Sequence, residues 1–132
     1  MSNPKILVIE DAFPTRRLVE LSLAYEGFDV IEREDGPSGL EAALTLIPDL
    51  IVLDIALPGM DGWEILSRLR ADPKTEHIPA IVITAHDTAE TRSKANHSHA
   101  DGFVGKPFDL DQLRNEVNKL IGIREPHETT AG

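Results

Sequence analysis

Three carboxylates, a hydroxyl and an amine recur at one kind of place in this sequence, the end of a short apolar run. Glu10-Asp11 close Ile6-Leu7-Val8-Ile9, Asp54 closes Leu50-Ile51-Val52-Leu53, Thr84 closes the run from Ile78 to Ile83, and Lys106 follows Gly102-Phe103-Val104-Gly105. The separations are 43 residues from Asp11 to Asp54, 30 from Asp54 to Thr84 and 22 from Thr84 to Lys106. Taken singly, each has an ordinary reading: an acidic pair that caps a helix or faces water, an N-cap aspartate, a surface lysine. Taken together they imply more. Three carboxylates brought within about 5 Å of one another repel by roughly 3 kcal/mol per pair at an effective dielectric near 20, so the cluster calls for cations. Lys106 supplies one charge, and a hard divalent ion with oxygen ligands and retained waters, for which Mg²⁺ is suited, supplies the rest.

For these residues to meet, the apolar runs must lie side by side with their carboxyl ends together, where open α/β sheets bind ligands. The runs ending at Ile9, Leu53 and Ile83 are continuously apolar, as parallel strands buried on both faces are. Phe28 to Arg33 is mixed in polarity and suits an edge strand. Helical spacing intervenes: Leu18, Leu21, Ser22 and Tyr25 within Pro14 to Glu26, then Leu40, Ala43, Leu44 and Ile47, then Trp63, Ile65, Leu66 and Leu69 before Asp72-Pro73. Pro14 and Pro37 stand near first helical positions, where a missing N–H is harmless. The last helix is the best punctuated, with Asp109 as N-cap, Gln112 three residues on, a stripe of Leu110, Leu113, Val117 and Leu120, and an end near Gly122. The fourth, Thr88 to Ser98, opens on Asp87 and Glu90 at capping-box spacing but offers only Ala89 and Ala95 to a core, so packing stabilises it least. Five alternations predict an α/β fold whose parallel sheet is covered on both faces by right-handed crossovers.

The 132 residues suit one domain, 1–122, followed by a short polar tail, 123–132. The lack of cysteine excludes a disulfide framework and a zinc ribbon. A net charge of −10, from 23 acidic against 13 basic residues, opposes direct nucleic-acid binding, and Arg16-Arg17 with Arg68 and Arg70 read as solvated helix faces. No signal-peptide pattern or membrane-spanning apolar stretch is present, so a soluble cytoplasmic protein is expected. Asn96-His97-Ser98 matches a glycosylation sequon by chance, His97 and His99 lack a third metal ligand, and Trp63 reads as a packing residue.

Val8-Ile9-Glu10-Asp11, Asp54 to Gly62 with the apolar run before it, Val82-Ile83-Thr84-Ala85, and Gly102 to Phe108 resemble, in order and spacing, the motifs of response-regulator receiver domains. The resemblance spans about Lys5 to Ile121. It implies a flavodoxin-like, doubly wound sheet of five parallel strands in order 2-1-3-4-5 with five helices. It further implies that Asp54 is the nucleophile that takes a phosphoryl group from a phosphohistidine on a sensor histidine kinase or histidine phosphotransfer protein. Glu10, Asp11, Asp54 and the backbone carbonyl of Ala56 would surround Mg²⁺, Lys106 would pair with one phosphoryl oxygen, and Thr84 would donate its hydroxyl to another. Phe103 matches the aromatic switch position, Lys106-Pro107 the family's cis peptide, and Ala56 and His86 the positions that tune the lifetime of the phosphoryl group. A face of the fourth helix, fifth strand and fifth helix would then be read by a downstream partner.

Two departures stand out. The acidic pair is Glu-Asp rather than the commoner Asp-Asp, and His99 occupies a loop position where many relatives have glycine. A small-molecule phosphatase of the haloacid-dehalogenase type would carry a second aspartate two residues after its nucleophile, where this chain has Ala56. Either a stand-alone regulator, the expected reading, or the receiver piece of a longer regulator or hybrid kinase fits the chain.

Overall fold

Strand and helix alternate throughout residues 3–124, the part of the chain that the computed structural model describes. The elements are β1 (Lys5–Ile9), α1 (Phe13–Tyr25), β2 (Asp29–Arg33), α2 (Gly36–Leu46), β3 (Leu50–Asp54), α3 (Gly62–Ala71), β4 (Ala80–Thr84), α4 (Ala89–His97), β5 (Gly102–Gly105) and α5 (Leu110–Arg124). All strands are parallel and lie in the order β2-β1-β3-β4-β5, the arrangement expected. Because side chains alternate along a strand, Ile6 and Val8 meet Val19, Leu23, Leu113 and Val117 of α1 and α5, whereas Leu7 and Ile9 meet Leu40, Ala43, Ile65 and Leu69 of α2 and α3. β3 and β4 are buried at every residue, and the edge strand β2 at none. Among the described residues no helix is long and apolar enough to cross a membrane.

The helices depart from the expected faces in instructive ways. α1 is anchored by Val19 and Leu23, while Leu18 is 56% exposed and Tyr25 90%. The helix is apolar around much of its circumference, so periodicity alone does not reveal which stripe turns inward. Ile47 is not part of the α2 stripe but its C-cap, in the left-handed region at φ 46°. α4 is capped by Thr88, whose hydroxyl accepts from the Thr91 N–H at 3.1 Å, and Asp87 pairs with Arg92 instead. Ala89 is exposed, which leaves Ala95 as the buried residue of this helix. In α5, Asp109 accepts from the Asp111 N–H at 2.8 Å, and Leu113, Val117 and Leu120 are joined in the core by Ile121. The helix runs past Gly122 to Arg124; the rest of the expected tail, 125–132, lies outside the described residues.

Two of the four arginines assigned to solvated faces are structural. Arg16 donates to the carbonyls of Glu10 and Asp11 and pairs with Glu32. Arg70, its side chain 15% exposed, donates to the carbonyls of His99, Glu76 and Ile78 and to Asp101. It ties α3 to the loops before β4 and β5, and it secures His99 in a left-handed conformation at φ 65° that glycine would adopt more freely. Three carbonyls and a carboxylate would lose a donor together, so Arg70→Met is expected to lower stability by roughly 2–4 kcal/mol. Urea unfolding checks this, and a loss under about 1 kcal/mol would mean that water replaces the arginine without penalty.

Candidate functional site

The carboxyl ends of β1, β3, β4 and β5 converge because the strands pair in register, Ile9 with Leu53, Asp54 with Ile83 and Thr84 with Gly105. The loops that follow therefore share one rim. Glu10, Asp11 and Asp54 bring one carboxylate oxygen each within 4.8 Å of one another. Asp54 does not cap a helix; α3 begins eight positions later, with Asp61 as its N-cap. The start of α3 presses against the end of β3, where Gly62 donates to the Ile55 carbonyl at 2.8 Å. A Cβ on Gly62 would sit 2.7 Å from the Asp54 carbonyl oxygen, so only glycine permits the approach.

Lys106 reaches back over the β5 end and holds two of the acids. Its Nζ lies 2.7 Å from Asp54 Oδ2 and 2.7 Å from Glu10 Oε1. The first contact is a hydrogen bond; the second is close but poorly aligned, and Glu10 Oε1 is otherwise without a donor. Asp54 Oδ1 accepts from the Ala56 N–H at 3.0 Å, and Glu10 Oε2 from the Ala12 N–H at 3.1 Å. Glu10 is fully buried, Asp54 is 4% exposed, and Asp11 is open to solvent. Burial pushes the Glu10 carboxyl above its ordinary range, opposed by Lys106 and the Ala12 N–H and reinforced by Asp54. Burial alone would lower the Lys106 pKa, but the hydrogen bond it donates to Asp54 and its close ion pair with Glu10 outweigh this, and the amine is held above its usual value. Three carboxylates against one ammonium leave the pocket short of positive charge.

Thr84, 3% exposed, stands at the end of β4 and its hydroxyl accepts from the His86 N–H at 3.0 Å. Phe103 is not among the acids. It pairs with Val82 and lies on the α3 side of the sheet, the side to which Thr84 also points by parity. The guanidinium of Arg92 covers its ring at 4.5 Å from the centroid. The Lys106-Pro107 peptide is cis.

Several features around the site were not evident from residue order. Arg16 fixes the backbone of the acidic pair from one turn into α1, a role for which no local motif exists. Phe13, Leu18, Leu21 and Tyr25 line an apolar face of α1 that is left exposed among the described residues. Beside it a cavity of about 400 Å³ runs between Leu18, Pro107 and Phe108 to Lys106, so the uncovered face and the acidic pocket adjoin. The apolar spacing of α1 was the available signal for this surface, but it pointed inward.

Comparison with known proteins agrees with this geometry. A family model described as the response regulator receiver domain matches residues 6–118. The response regulator PleD of Caulobacter vibrioides is 41% identical over 122 residues, 92% of this chain and 27% of PleD, so the chain spans about a quarter of that relative. Sporulation initiation phosphotransferase F of Bacillus subtilis is 32% identical over 124 residues, 94% of this chain and 98% of that protein. The receiver domain of sensor histidine kinase PA1611 from Pseudomonas aeruginosa, solved with a magnesium ion coordinated in its active-site cleft, is similar at a TM-score of 0.84 and 26% identity, covering 92% of this chain and 99% of that one.

Proposed function

This chain belongs to the response regulator receiver family, and from that membership we propose that its phosphoacceptor is Asp54, with Glu10, Asp11, Thr84 and Lys106 as the groups that serve the transfer. The observation that carries the assignment is the position of Lys106 Nζ, 2.7 Å from oxygens of both Asp54 and Glu10 and next to an open Asp11. A carboxylate oxygen of Asp54 attacks phosphorus in line, the N–P bond of a phosphohistidine breaks, and the imidazole leaves with the bonding pair. Lys106 follows the transferred group by exchanging a carboxylate oxygen for a phosphoryl oxygen. Thr84, one strand away, offers its hydroxyl to a second phosphoryl oxygen.

The pocket suits a hard divalent cation. Its donors are all oxygens, one buried Glu10 oxygen lacks a well-aligned donor, and Asp11 has no side-chain partner among the described residues. Glu10, Asp11, Asp54 and the Ala56 carbonyl would hold Mg²⁺. When bound, the ion neutralises charge shared between carboxylate and phosphoryl oxygens.

The donor is a sensor histidine kinase or a histidine phosphotransfer protein, and the surface that meets it is the uncovered face of α1. Leu18 lines the route to Lys106 and Phe13, on the same helix, is 60% exposed, so a helix packed there would bring its histidine to the acids. We take the protein to act in the cytoplasm and to pass its signal to a downstream protein rather than to nucleic acid. A small phosphodonor with Mg²⁺ tests the core of the reading: intact mass should gain one phosphoryl group, and chelation should prevent it. Uptake that survives chelation would remove the metal from the mechanism.

Lifetime should depend on His86. Ala56 has no group to orient an attacking water, whereas His86 is exposed and fixed to Thr84 through its backbone. His86→Ala is therefore expected to prolong the aspartyl phosphate roughly two- to tenfold, a small share of what a well-placed base provides. A decay rate that is unchanged or faster in the variant would count against this role.

A further inference from the structure

α4 is held to the protein by charge on aromatic faces more than by burial. Of its residues only Ala95 is buried. Arg92 covers the Phe103 ring at 4.5 Å, and Lys94 Nζ lies 5.0 Å from the Trp63 ring centroid. The Arg92 guanidinium does not wander over its ring, because Asp87 fixes it with a two-pronged contact, Nε to Oδ1 at 2.6 Å and the terminal nitrogen to Oδ2 at 3.0 Å. Asp87 is itself seated against the strand: a Cβ on Gly105 would fall 2.7 Å from its Cβ and from Oδ2. Gly105 is the partner of Thr84 across β4 and β5, and Phe103 lies two residues earlier on the same face. A cavity of about 190 Å³ opens between α4 and β5 beside the ring. If Phe103 is the ring that follows Thr84, its movement along this face would take it out from beneath Arg92.

We propose that Arg92, locked by Asp87, is a positioning residue that holds Phe103 in its resting place and so sets how readily the switch responds. The proposal rests on the reading of Phe103 as the ring that follows Thr84. A contact made only in the resting arrangement opposes the switched one by its full strength. Its removal raises the apparent affinity of any ligand that prefers the switched arrangement, and by no more than that contact was worth. For an exposed cation on an aromatic ring the expected gain is about two- to fivefold.

The test is a beryllofluoride titration, with Mg²⁺, of the whole chain labelled with fluorophenylalanine. The chain has four phenylalanines, so four fluorine resonances are expected, and Phe103→Leu assigns the one that matters. In the unmodified chain that resonance should move with beryllofluoride; if it does not, the switch reading fails and the proposal with it. If it does move, Arg92→Ala should bind beryllofluoride about two- to fivefold more tightly. Asp87→Asn, which frees the guanidinium but retains it, should gain in the same direction, and it also serves if Arg92→Ala does not fold. Thr88→Ala, which weakens the α4 cap without touching the ring, should gain less. Unchanged or weaker affinity in the Arg92 and Asp87 variants overturns the proposal, and so does an equal gain in Thr88→Ala, which would trace the effect to a loosened helix.

Discussion

Asp54→Asn is expected to abolish phosphoryl uptake from a small donor, a fall of about 10³-fold or more, while the protein stays folded. The substitution keeps the shape of the side chain and can keep its bond from the Ala56 N–H, but a neutral amide oxygen lacks the negative charge that makes the carboxylate a nucleophile toward phosphorus. Stability should change by no more than about 1 kcal/mol, because two effects oppose each other: Lys106 loses one carboxylate partner, and Glu10 loses a neighbouring negative charge that helps push its pKa up. Intact mass after incubation with donor and Mg²⁺, beside a urea melt, separates chemistry from folding. Phosphoryl uptake retained by the variant would move the acceptor to another residue and leave Asp54 a structural role at the end of β3.

Lys106→Met should have two effects of opposite sign, depending on metal. Without Mg²⁺ the variant leaves buried Glu10 and Asp54 facing each other with no nearby cation. Loss of one partner of a fully buried pair costs about 3–5 kcal/mol; the Lys106 side chain is still 23% exposed, so roughly 2 kcal/mol is expected. With Mg²⁺ the same deletion removes a positive charge that competes for the carboxylate oxygens. One charge in a screened cluster is worth on the order of 1–2 kcal/mol, so the variant should bind the ion about tenfold more tightly. A hundredfold excess of metal over its Kd would then add about 2.7 kcal/mol, enough to restore the lost stability. Phosphoryl uptake can persist, but the group should no longer be drawn toward β5, and the Phe103 response to beryllofluoride should be lost. A variant that is unaffected in metal-free buffer, or that binds Mg²⁺ more weakly, would show that Lys106 is not the counter-charge of the cluster.

Residue order was enough for the architecture because the strands are written in a form that admits few readings. Leu50-Ile51-Val52-Leu53 and Ile81-Val82-Ile83 are apolar at every position, as only strands covered on both faces need to be, and the polar residues that end them are stopped there by the rim. The acids, the threonine and the lysine were legible for the same reason, since each sits at or just past the carboxyl end of a strand and all strands end on one side. Helix faces were less legible. α1 offers Leu18 and Leu21 as readily as Val19 and Leu23, and its polar positions do not break the tie; the choice is made by how the helix lies on β1 and β2, and the stripe left over became the open surface.

What only the tertiary structure decided are the contacts made by long or charged side chains across elements. Arg70 reaches carbonyls and a carboxylate as far as 31 residues away, and a sequence window on α3 sees only an amphipathic helix with a basic last turn. Asp87 and Thr88 are both good caps by type; Thr88 takes that role because Gly105 leaves Asp87 a seat against β5 from which it grips Arg92. The same cause places Arg92 over Phe103. Local propensity acts through the backbone within one or two turns, whereas a guanidinium or a carboxylate is placed by whichever partner the folded chain brings within hydrogen-bond distance, and that partner is fixed by strand register and helix packing.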